Sequence, residues 1–130
     1  MSHETLLTSI FTYLSNVVDL PDIVYPNIKE SDLPDEHLRI SVMPTKPSDY
    51  GIKNIKQDYG LIQVSIFTKV NIGEIRAAQI ADKVLEAFKR NTVIPTSNIR
   101  VDRTPYASGG MVEDNYYVIP VTIEYNKVTV

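Results

Sequence analysis

The sequence predicts an α+β fold, a mainly antiparallel sheet covered by helices, in the order helix-strand-strand-helix-strand-strand. Three observations lead there. Apolar residues recur at helical spacing near the N-terminus, an alternating stretch from Gly60 runs into a two-faced helix ending near Arg90, and two more alternating stretches follow. A chain of 130 residues suits one domain around one continuous core. Residues 1–130 are therefore expected to form a single domain, with long loops at 19–37 and 44–59.

Each element has its own signal. Leu6, Leu7, Ile10, Phe11, Leu14, Val17 and Val18 repeat on one face of an amphipathic helix from about Glu4 to Val18, and Pro21 ends it. From Asp19 to Glu36, Pro21, Pro26 and Pro34 with several acids predict an irregular connection. Leu38 to Val42 alternates as a strand with one buried face and stops at Met43-Pro44. Thr45 to Asp58 is a second long connection, of a length that is usually functional, mobile or a protruding hairpin.

The stretch after Gly60 is the cleanest in the chain. Ile62, Val64, Ile66, Thr68 and Val70 point to the core, and Leu61, Gln63, Ser65, Phe67 and Lys69 point away. Asn71 caps the following helix, with Glu74 reaching back to the cap amide. Ala77, Ile80, Ala81, Val84, Leu85, Ala87 and Phe88 share one half of the helical wheel, and only Ile75 breaks the partition. Asn98 to Tyr106 and Tyr116 to Val128 supply the last two strands, joined through Ser108-Gly109-Gly110-Met111 as a hairpin connection. Pro120 cannot donate to a ladder, so the last strand is expected at an edge or bulged there.

Composition excludes more than it assigns. A net charge of -3 gives no general pull toward nucleic acid or an anionic membrane, and the absence of cysteine removes disulfides and thiol catalysis. No apolar run approaches a membrane span and Met1-Ser2-His3-Glu4 lacks a signal-peptide pattern, so a cytosolic product without membrane association is expected. Asp35-Glu36-His37 lacks the spacing of metal ligands and is expected to be a solvated acidic turn. The glycines form no phosphate loop, and no nucleophile elbow exists. No catalytic, cofactor-binding or metal residue is predicted.

What remains points to assembly. Leu61 and Phe67 on one strand, with Val118 and Pro120 on the last, place apolar groups on the outward face. As a contiguous patch they mark an interface; burial beneath the first helix is the competing account. The tyrosines of the last strand fit a stacking platform, an assembly surface or an ordinary half-buried sheet.

Several motifs carry a family resemblance. Val24-Tyr25-Pro26-Asn27, a strand closing on Val42-Met43-Pro44, the Gly60 to Val70 strand, a Gly73-led helix with Ala77-Ala78 and Ile80-Ala81-Asp82, and Val118-Ile119-Pro120-Val121 follow one another along nearly the whole chain. This pattern resembles the tail terminator, or tail completion, proteins of long-tailed bacteriophages and prophages, the lambda-like minor tail protein family. The resemblance implies a structural protein, not an enzyme, which forms a homo-hexameric ring, caps the tail tube and offers a head-joining surface. Implied partners are further copies of itself, the major tail tube protein and a head-completion or connector protein, with DNA passing through unbound by specific contacts. It also implies assembly in the host cytoplasm and a place at the head-proximal end of the virion tail. By this analogy the assembly contacts are Tyr50, Lys53, Ile55 and Lys56 of the long arm, Met111 and Val112 of the glycine hairpin, and the outward Leu61 and Phe67. The alternative is a small non-enzymatic adaptor or a ligand-binding α+β domain.

Overall fold

The computed structural model describes residues 3–17, 20–24, 35–44, 48–49, 56–70, 74–95, 97–113 and 115–129. Helix α1 spans His3–Ser15 and buries Leu6, Ile10 and Leu14, the i, i+4, i+8 stripe that its periodicity calls for. Its end tightens through Asn16 and Val17 amides donating to the Tyr13 and Leu14 carbonyls. Ser9 is buried in that stripe because its hydroxyl donates to the Leu6 carbonyl.

Eight strands are described: β1 Asp22–Val24, β2 Glu36–Pro44, β3 Ser48–Asp49, β4 Lys56–Lys69, β5 Arg100–Val101, β6 Tyr106–Ala107, β7 Met111–Glu113 and β8 Tyr116–Thr129. Helix α2, Glu74–Ala87, separates β4 from β5. The sheet runs β1-β2-β4-β8-β5, with β3 also on β4 and with β6 and β7 also on β8. Its spine is the antiparallel β4–β8 ladder, 14 residues on each strand and about 44 Å long.

Both helices bury their apolar stripes on one face of this sheet. Ala77, Ile80, Ala81, Val84 and Phe88 of the α2 segment join Leu6, Ile10 and Leu14 over Leu38, Ile40, Ile62, Val64, Ile66, Ile119, Val121 and Ile123 in one cluster. The alternation expected of β4 therefore holds for Ile62, Val64, Ile66 and Thr68, whereas Val70 lies in the turn beyond the strand and is exposed. The helices also touch each other, Tyr13 tilting against Phe88 with ring centroids 5.3 Å apart.

The α+β class holds, but the expected order and the antiparallel character need correction. The chain runs helix, four strands, helix, four strands, and the sheet is mixed because β1 pairs with β2 in parallel. Strand β1 lies inside the segment expected to be irregular. Ile23 and Val24, just beyond Pro21 and Asp22, are too few to show a period, yet they gain register from Leu38 and Arg39. Residues 25–35 separate β1 from β2, close to the dozen or so that a parallel return requires.

The last third departs further. The predicted Asn98 to Tyr106 strand is two fragments, β5 and β6, and Met111–Glu113 adds a third. All three pair with β8 at different points along its length. The hairpin connection falls between β7 and β8, where Glu113 pairs with Tyr116, while Ser108 to Gly110 merely carries the chain from β6 to β7. Strand β8 is consequently interior. Pro120 is tolerated because its carbonyl accepts from the Ser108 amide on the side away from β4, and its missing N–H faces that same break between β6 and β7. The Asn71 cap of α2 lies outside the described residues.

Candidate assembly surface

Strand alternation leaves the second face of the sheet uncovered by either helix. Leu61, Gln63, Ser65, Phe67 and Lys69 of β4 point there and all are half-buried. Register brings neighbours to each of them. One row crosses the sheet as His37, Phe67, Val118 and Met111, on β2, β4, β8 and β7. Val24, Arg39, Ser65 and Pro120 make the row on one side, and Lys69 with Tyr116 the row on the other.

The middle of this face is aromatic. His37 stacks on Phe67 with centroids 4.7 Å apart and planes within 9°. Tyr116 sets its edge against both, at 5.1 and 5.9 Å. The Arg39 guanidinium lies 5.5 Å from the Phe67 centroid and the Lys69 ammonium 5.1 Å from that of Tyr116. The expected solvated turn at His37 is thereby corrected: β2 starts at Glu36, and His37 is fully buried in it.

Toward the β8 side the surface becomes exposed and apolar. Met111 is 55% exposed, Val112 66% and Tyr106 55%, all on short strands attached to β8. Met111 and Tyr106 lie opposite Val118 and Thr122, on the face that carries Phe67, whereas Val112 opposes Tyr117 on the helix side. Met43, 45% exposed, adjoins Leu61 farther along the same face. Exposed apolar groups are the usual mark of an interface only where they form a contiguous patch.

The sequence-derived contact residues divide accordingly. Tyr50, Lys53 and Ile55 lie outside the described residues. Lys56 opens β4, where its backbone pairs with Asp49 and Thr129. Leu61 and Phe67 share the helix-free face six residues apart, so burial under α1 does not account for them. Phe67 and Met111 meet in one row through Val118. Sequence reasoning placed Lys69 on this face but missed His37 and Arg39 as members of it. Their parity was the available signal, since His37, Arg39 and Ser41 alternate with the buried Leu38 and Ile40.

The helix layer carries two open clefts. One of about 590 Å³ lies between the helices, lined by Tyr13, Asn16, Val17, Asp82, Lys83 and Glu86, its charged groups all drawn from one flank of α2. Tyr13 closes its floor by donating to the Ala87 carbonyl at 2.6 Å, and burial pushes the phenol's pKa up. The other, about 540 Å³, lies between α1 and β1. Among the described residues no group of three or more His, Cys, Asp or Glu is placed to hold a metal ion, and no helix is long and apolar enough to cross a membrane.

A layer of helices on one face of a mixed sheet, with an aromatic and apolar stripe on the other, defines a two-layer α+β structure. A family model described as phage tail terminator protein matches residues 6–125, and the chain belongs to this family. It is thus a structural component of a phage tail, in contact with other tail and head proteins during virion assembly. One solved structure, whose name states no function, is similar over 100% of this chain and 97% of its own, with a TM-score of 0.71 at 21% identity; that likeness concerns the fold. No curated protein matches.

Proposed function

We propose that the protein is a single-domain subunit of a hexameric ring that caps the tail tube, ends its polymerisation and presents the surface to which the head joins. The observation that carries this reading is the family match over residues 6–125. The form of the molecule supports it, since a ring requires two different rigid patches that meet repeatedly until the rotation closes. The exposed Met111 and Val112, with Leu61 and Phe67 on the helix-free face, are the described contact residues. Tyr50, Lys53, Ile55 and Lys56 are the further residues proposed to meet a neighbour or the tube. The partners are the major tail tube protein on one side and a head-completion or connector protein on the other. DNA traverses the ring without specific contacts. Assembly takes place in the host cytoplasm, and the ring stays at the head-proximal end of the tail.

Light scattering after size exclusion, with electron microscopy of the concentrated protein alone and mixed with tail tubes, tests the ring. Six-membered rings, free or seated on tube ends, are the expected result. Protein that remains monomeric and leaves tube ends bare contradicts it, and pocket-directed small-molecule binding by such a monomer would favour the ligand-binding alternative.

A further inference from the structure

Two surface features match each other across the molecule. On the helix-free face, Arg39 and Lys69 hold their charges over Phe67 and Tyr116. Among the described residues neither forms an ion pair, and the Arg39 Nε is buried without an acceptor. A buried guanidinium N–H without an acceptor is an interaction left incomplete. On the other layer, α2 exposes Glu74, Ile75, Ala78 and Asp82 within one strip about 100° wide. Ile75 is 77% exposed, and among the described residues neither carboxylate forms an ion pair.

The spacings agree. Arg39 lies opposite Ser65, so the backbone positions of Arg39 and Lys69 are four residues apart along the strands, about 13 Å, with Phe67 midway. Glu74 and Asp82 are eight helical positions apart, about 12 Å, with Ile75 and Ala78 between them. A cation-aromatic-cation strip faces outward on one side and a carboxylate-apolar-carboxylate strip on the other.

We propose that α2 of one copy docks on the helix-free sheet face of the next, Ile75 and Ala78 against Phe67, with Glu74 and Asp82 meeting Arg39 and Lys69. The inference rests on the ring reading and names its subunit contact. The joined patches differ, so the contact is heterologous, as ring closure needs. Charge-assisted bonds join these carboxylates to the Arg39 and Lys69 cations. A second copy fits better than nucleic acid, because two cations neutralise few phosphates and the chain as a whole carries -3.

The chain contains no cysteine, so introduced ones report without background. Ser65→Cys and Ala78→Cys proteins, mixed and treated with a short bismaleimide, should give covalent dimers at least tenfold above either protein alone. Arg39→Glu with Lys69→Glu in the first protein should abolish the product, and Glu74→Lys with Asp82→Lys in the second should restore it. Circular dichroism checks that each variant is folded. Rings seen by microscopy without mixed cross-links would overturn the contact and leave the ring reading standing. Cross-linked open chains would keep the contact and overturn the ring. Absence of both rejects both. Duplex DNA retained by the wild type and released by the Arg39 and Lys69 reversals, without cross-links, would reassign the face to nucleic acid.

Discussion

Gly60 and Tyr125 lie opposite each other on β4 and β8, and the Tyr125 ring lies over the glycine so closely that an added Cβ would come within 2.4 Å of it. Tyr125 is buried, so it has little room to withdraw. Gly60→Ala should therefore destabilise the fold by about 1–3 kcal/mol in urea denaturation, and by much less in a Tyr125→Ala background, because the two positions are coupled through that contact. Tyr13 offers a second test. Its hydroxyl ties α1 to α2 through the Ala87 carbonyl, and Tyr13→Phe should cost about 1 kcal/mol. Burial raises the folded-state pKa above the ordinary 10.0, so the neutral, bonded phenol contributes fully below that pH. The contribution is lost as pH rises through the folded-state value. Stability measured from pH 8 upward should thus fall beyond pH 10 more steeply in wild type than in Tyr13→Phe.

At the scale of elements, α2 is the pin of the core. Phe88 is fully buried just past its end, against Tyr13. Phe88→Ala should cost about 3–5 kcal/mol, seen as a lower denaturation midpoint with unchanged slope. The β7 strand should behave in the opposite way. Met111→Lys with Val112→Asp, at exposed positions, should shift stability by no more than about 0.5 kcal/mol while reducing ring formation in light scattering. The same contrast explains what was legible in the sequence. Helix α2 and strands β4 and β8 are long, so a period shows in each, and the inward residues predicted from Ile62 to Thr68 share the helix face with Ile119, Val121 and Ile123 of β8. Strands β1, β5, β6 and β7 have two or three residues each, too short for any period, and exist because a neighbour offers them register. The assembly face was half legible for a related reason. Leu61 and Phe67 stand out as apolar groups on an outward face, but the burial of His37 between Phe67 and Tyr116 depends on cross-strand neighbours far apart in sequence.

At the scale of the whole molecule, both described helices lie on one face of the sheet, and exposed apolar groups sit on the short strands attached to β8. Family membership places the molecule in a phage tail. The central claim is that this subunit ends tail growth and allows the head to attach. The most direct measurement is the tail-length distribution in electron micrographs of particles produced after deleting the gene from its phage. Tails of scattered or excessive length, unattached to heads and corrected by supplying the protein in trans, are the predicted result. Tails of one uniform length, joined to filled heads in the absence of the protein, would contradict the account.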